Sequence, residues 1–105
     1  MNHVIDKNAQ TLVPGLILYS SWGYDQTNID FYIVTAVKGQ FATLCEIAAS
    51  ETSTGIMFGS KFPTLPVVLK GSPFKRKMRG AYVSIASYAG AFPWDGEVKE
   101  VSHTH

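Results

Sequence analysis

Apolar side chains recur at every second residue in much of this chain, and that spacing restricts what it can fold into. The segment from Gln40 to Ala48 shows this alternation: one face would carry Phe41, Thr43, Cys45 and Ile47, and the other Ala42, Leu44, Glu46 and Ala48. A period of two is typical of a β-strand, whose successive side chains point to opposite faces. Lys38-Gly39 precedes this segment as a tight connection, so the sequence predicts a hairpin with the strand before it.

Other segments follow the same pattern and are separated by turn signals about every ten residues. Further strands are predicted over Gly15 to Ser21, Asp30 to Lys38, Ile56 to Phe58, Leu65 to Lys70, Phe74 to Arg79, Ala81 to Tyr88 and Glu97 to Ser102. Gly71-Ser72-Pro73 is interpreted as the turn of a second hairpin, and the polar residues from Ser50 to Gly55 as a loop. We therefore expect an all-β fold: a small antiparallel, strongly bent barrel, SH3-like or similar, with about five to seven strands and little helix.

The predicted strand from Asp30 to Lys38 has two largely apolar faces. Phe31, Ile33 and Val37 lie on one face, and Tyr32 and Val34 lie on the other. This pattern indicates a strand that is buried on two sides.

The chain has the size and composition of one globular domain. It contains 105 residues, of which 46% are hydrophobic and 16% are charged, enough apolar content for a core. We expect a single domain over 1–105, an N-terminal arm over 1–12 and a frayed tail over 102–105. No apolar stretch approaches the roughly 20 residues that span a bilayer, and the first residues lack a secretory pattern. A cytoplasmic location and no membrane contact are therefore expected.

Basic residues are concentrated in one short window. Five of the nine Lys and Arg residues lie between positions 70 and 79, with no acid among them; they are Lys70, Lys75, Arg76, Lys77 and Arg79. On a strand, Lys75, Lys77 and Arg79 would share one face, about 7 Å apart, with Tyr82 nearby. Such a row fits a phosphate backbone, an acidic protein partner, or an edge strand kept soluble by charge.

A second unusual segment reads SWGYDQTNIDFY, from Ser21 to Tyr32. Its candidate contact residues are Trp22, Tyr24, Asp25, Gln26 and Asn28. Short polar side chains hold turns by bonding to nearby backbone amides, so the segment is consistent with a well-tied loop. Trp22 and Tyr24 also offer flat rings beside polar groups, as in platforms for bases or anchors for proteins.

No catalytic, cofactor or metal motif is recognised. Asp25 and Asp30 are the paired carboxylates that a small enzyme could use as acid and base, but nothing in the sequence indicates a cleft. His103 and His105 are separated by one residue and could approach a metal, yet chain ends fray and no carboxylate accompanies them at ligand spacing. We expect no cofactor and no metal site.

The segment from Ser21 to Asn28, with Asp30, Phe31 and Tyr32, resembles a segment in a group of small, largely uncharacterised proteins of bacteriophages, prophages and plasmids. The segments Tyr82 to Tyr88 and Trp94-Asp95-Gly96 are similar to a C-terminal segment of the same group. The resemblance implies a mobile genetic element and a bacterial cytoplasm, and it brings no activity with it.

The leading hypothesis is a non-enzymatic binding module whose basic hairpin and aromatic loop contact nucleic acid. The first alternative is an inhibitor that binds a host defence protein through the Trp22 and Tyr24 loop. The second is an enzyme that uses Asp25 and Asp30. The sequence predicts no particular oligomeric state.

Overall fold

The structure is a computed structural model that describes residues 12–23, 27–53, 58–86, 89–96 and 99–102. These residues form nine β-strands and no helix. The strands are β1 (Ile17–Trp22), β2 (Asn28–Lys38), β3 (Phe41–Ile47), β4 (Ala49–Ser53), β5 (Phe58–Pro63), β6 (Leu69–Arg79), β7 (Tyr82–Ala86), β8 (Ala89–Pro93) and β9 (Lys99–Ser102). The described residues contain no helix that is long and apolar enough to cross a membrane.

Six of the strands close into an antiparallel barrel in the order β1-β2-β3-β6-β7-β8, and β8 pairs with β1. The predicted fold class, a small all-β antiparallel barrel, is confirmed. Alternate residues of the strands, including Leu18, Val34, Leu44 and Val83, point inward and are fully buried in one core. Leu12, which the sequence assigned to the N-terminal arm, is also buried in this core.

The remaining strands β4, β5 and β9 form a three-stranded sheet. A second core contains Ile29, Phe31 and Ile47 from the outer face of the barrel together with Val101 from β9. The Phe31 ring meets the Trp94 ring edge to face, with centroids 5.9 Å apart. β2 is therefore covered on both faces from Ile29 to Val34, which is why that part of its sequence is largely apolar on both sides.

Two predictions about the middle of the chain were wrong. The residues from Leu69 to Arg79 form one continuous strand rather than a hairpin turning at Gly71-Ser72-Pro73. The extra residues are absorbed by a register shift against β3 between Leu44 and Glu46, where Gly71 adopts a φ of +74°. Such a bulge bends a strand without reversing it.

The second wrong prediction concerns the polar segment from Ser50 to Gly55, which was interpreted as a loop. Most of it belongs to β4, which pairs with β5 over Ala49↔Pro63 to Ser53↔Gly59. Serine and threonine fit here because β4 is an edge strand of a small sheet, where hydroxyl side chains are tolerated.

Two hairpin turns lie side by side at one end of the barrel. β2 and β3 are joined through Gly39, with a φ of +60°, as predicted, and β6 and β7 are joined through Gly80, with a φ of +69°. The backbone N–H of Met78 donates to the carbonyl oxygen of Gln40 over 2.7 Å. This contact ties the two hairpins together and positions the surface described next.

Candidate nucleic-acid interface

The predicted row of cations lies on the outer side of β6. Lys75, Lys77 and Arg79 are exposed, whereas the alternating residues Phe74 and Met78 are half-buried against the barrel core. Successive members of the row are about 7 Å apart along the strand. The continuous strand thus presents three positive charges in a line on one face.

Two basic residues of the same window are placed elsewhere. The Arg76 guanidinium lies over the Phe74 ring at 4.7 Å, and its Nη1 donates to the Lys75 carbonyl oxygen over 2.9 Å. Lys70 lies near the start of β6, where its Nζ is 3.5 Å from Glu46 Oε2. Arg76 therefore packs beside the barrel core, and the charge of Lys70 is partly balanced.

No carboxylate balances the row itself in the part of the chain that the structure describes. The ion pairs found there join Lys70 to Glu46 and Lys99 to Asp95. Lys75, Lys77 and Arg79 take part in neither pair. Their charges add to one local positive potential that extends into solvent.

Exposed aromatic rings flank the row on both sides. In the strand register Phe41 of β3 is opposite Lys77, and Tyr82 of β7 is opposite Arg79. Phe41 is 43% exposed and Tyr82 is 36% exposed. The Phe92 ring, 45% exposed, stacks on Tyr82 with centroids 4.9 Å apart and planes 20° apart.

We call this surface the β6 face and define it by Lys38, Phe41, Lys75, Lys77, Arg79, Tyr82 and Phe92. It contains an open depression of about 410 Å³ lined by Lys38, Phe41, Thr43 and Lys75. Cationic groups and an apolar ring thus border the same concave region. Phosphate groups and flat apolar rings are the partners that such a lining favours.

Sequence reasoning missed Lys38, Phe41 and Phe92 as members of this surface. Phe41 alternates with its neighbours as a core residue would, but it is the first residue of β3 and faces outward. Its position two residues after Gly39, at the end of the turn, was the available clue. Phe92 gave no such clue, because its partner Tyr82 is known only from the pairing of β7 with β8.

Trp22 lies apart from the β6 face. It follows Leu18 and Ser20 in alternation on β1, so its side chain leaves the strand on the side that faces the barrel interior. It pairs with Asn28, the first residue of β2. Lys38 is the last residue of β2 and belongs to the β6 face, so about 30 Å of strand separates Trp22 from that face. Its Nε1 donates to Asp30 Oδ2 over 2.8 Å, and its side chain is 37% exposed.

The remaining predicted residues lie outside the β6 face or outside the part of the chain that the structure describes. Tyr24, Asp25 and Gln26 lie outside the described residues, as do His103 and His105. Asn28 is half-buried beside Trp22. Within the described ranges, no group of three or more His, Cys, Asp or Glu side chains is arranged to hold a metal ion.

Comparisons with known protein families, with curated proteins and with solved structures find no match to this chain.

Proposed function

We propose that this protein is a non-enzymatic module that binds nucleic acid through the β6 face. The observation that carries the proposal is the register of three neighbouring strands, which sets Phe41 opposite Lys77 and Tyr82 opposite Arg79. Cations that neutralise phosphates supply affinity without reading sequence. Rings placed among those cations add contacts that charge alone does not provide.

The charge distribution supports a polyanionic partner. The three cations of the row have no ion-pair partner among the described residues, and Lys38 extends the positive region onto β2. An edge strand made soluble by charge would explain exposed lysines. It does not explain exposed rings beside them, because apolar rings lower solubility.

The setting of this binding follows from the resemblance noted for Ser21 to Asn28. We place the protein in the cytoplasm of a bacterium that carries a phage, prophage or plasmid. Its ligand there is DNA or RNA of the element or of the host.

The test is a titration of fluorescein-labelled DNA and RNA oligonucleotides by anisotropy over a series of salt concentrations. The proposal expects binding at low salt and a steep loss of affinity as salt rises, because each phosphate contact releases a counterion. Absence of binding at low salt, or affinity that does not change with salt, contradicts it.

A second candidate function is inhibition of a host protein through Trp22. The Asp30 carboxylate holds the indole N–H, so the partly exposed ring is fixed before any partner arrives. Fixed aromatic anchors of this kind dominate many protein interfaces. Under this function Trp22→Ala abolishes a complex with a host protein, and neutralising Lys75 and Lys77 has little effect on it.

A further inference from the structure

We infer that the β6 face selects single-stranded over duplex nucleic acid, with unpaired bases stacked on Phe41 and on the Tyr82–Phe92 pair. This inference rests on the proposed function and names the class of ligand. Three features of the surface lead to it: the positions of the rings, the arrangement of the stacked pair and the width of the barrel end.

The first feature is that rings and cations occupy the same outer layer. Phe41 and Tyr82 lie on β3 and β7, the two strands that flank β6, and these strands are about 10 Å apart at the usual strand spacing. In a duplex the faces of the bases are covered by their stacked neighbours, and the phosphates form the outer surface. A duplex bound to this face would bring phosphates to the cations, but it would also place its hydrated sugar-phosphate backbone against the apolar rings. An unpaired strand offers phosphates and base faces together.

The second feature is the stacked pair itself. The Tyr82 and Phe92 rings are nearly parallel, and both remain more than one-third exposed. Tyr19 packs on the other side of Phe92, with centroids 6.5 Å apart. The pair is therefore supported by a neighbouring strand and keeps an accessible surface, as a platform for a base requires.

The third feature is the width of the barrel at this end. Distinguishing all four base pairs of a duplex uses an element that enters the major groove, which is about 12 Å wide. The two tied hairpins put β2, β3, β6 and β7 side by side, a width of about 14 Å between the outer backbones before side chains are added. No helix occurs among the residues that the structure describes. This end of the barrel is too broad to enter the major groove. Its outer surface can instead bind a single nucleic-acid strand that runs across it.

The experiment compares a labelled single strand of about 12 nucleotides with a blunt duplex of the same sequence, at one low salt concentration. We expect the single strand to bind at least about ten-fold more tightly. Phe41→Ala and Phe92→Ala should each weaken binding of the single strand by about ten-fold, the usual value of one stacked base. Duplex binding should be unchanged by either substitution.

Two further variants keep the result interpretable. Phe41→Leu retains apolar volume and removes the flat ring, so it should lose single-strand affinity while the fold, followed by circular dichroism, is kept. Leu65→Ala is the matched control, because Leu65 is 62% exposed on the connection between β5 and β6 and lies outside the β6 face. It should change neither affinity.

The outcomes distinguish a failure of this inference alone from a failure of the proposed function. Equal affinity for single strand and duplex, or equal weakening of both by the ring substitutions, overturns single-strand selection and leaves nucleic-acid binding standing. No binding to either probe overturns both. Single-strand binding that Phe41→Leu and Phe92→Ala leave unchanged overturns the stacking contacts.

Discussion

Neutralising two members of the cation row should change how affinity depends on salt by a calculable amount. Lys38, Lys75, Lys77 and Arg79 are the four exposed cations of the β6 face. For a single strand, the slope of log affinity against log salt is about −0.7 per phosphate contact, so contacts from all of them give about −2.8. The Lys77→Gln, Arg79→Gln variant should have a slope of about −1.4.

The difference is large enough to measure by fluorescence anisotropy. Between about 50 and 200 mM salt, the unmodified protein should lose about 50-fold in affinity and the double variant about 7-fold. With equal affinities at about 1 M salt, where the two lines meet, the double variant should bind about 25-fold more weakly than the unmodified protein at about 100 mM salt. Both side chains are exposed, so circular dichroism should show an unchanged fold.

Lys70→Gln is the matched control on the same strand. Lys70 is paired with Glu46 and lies about 20 Å from Lys77 along β6, beyond the screening length of about 10 Å at this salt. The Lys70→Gln variant should keep nearly the same slope of log affinity against log salt as the unmodified protein. If Lys70→Gln lowers the slope as much as a substitution in the row, or if the double variant keeps the full slope, the assignment of phosphate contacts to the β6 face is refuted.

Three further predictions concern other parts of the molecule. Trp22→Ala should leave oligonucleotide affinity unchanged in the anisotropy assay, because Trp22 lies apart from the β6 face. A large loss of affinity would show that nucleic acid binds around Trp22 instead. Phe31→Ala should destabilise the protein by about 3–5 kcal/mol in urea unfolding, since Phe31 is fully buried in the second core; a cost below about 1 kcal/mol would show that this core contributes little. Ser20→Ala should stabilise it by about 1 kcal/mol, because Ser20 Oγ is buried without a hydrogen-bond partner among the described residues; destabilisation would reveal a partner for that hydroxyl.

The alternation of side chains was sufficient to predict the fold class and most strands. β1, β2, β3 and the turn at Gly39 are close to their predicted positions, because a period of two with glycine at the turn reports local geometry directly. β6 was predicted as a hairpin because Gly71 and Pro73 have turn chemistry. A bulge uses the same residue types, and only pairing with β3 distinguishes the two structures.

Three cations of the candidate site and the Tyr82 ring were predicted from the sequence, whereas Lys38, Phe41 and Phe92 were not. The five basic residues were visible in the sequence, and alternation placed Lys75, Lys77 and Arg79 together. The pairing of Phe41 with Lys77 and the stacking of Phe92 on Tyr82 join strands that are distant in sequence. No local pattern reports contacts of this kind, since they depend on the order of strands in the barrel.

The most direct test of the account is an NMR titration of the isotope-labelled protein with a single-stranded oligonucleotide. Amide chemical-shift changes should be concentrated on β6 from Lys75 to Arg79, on Tyr82 and Phe92, and at Lys38 and Phe41. Changes confined to Trp22 and Asn28, or to β4, β5 and β9, would contradict the β6 face as the site of binding.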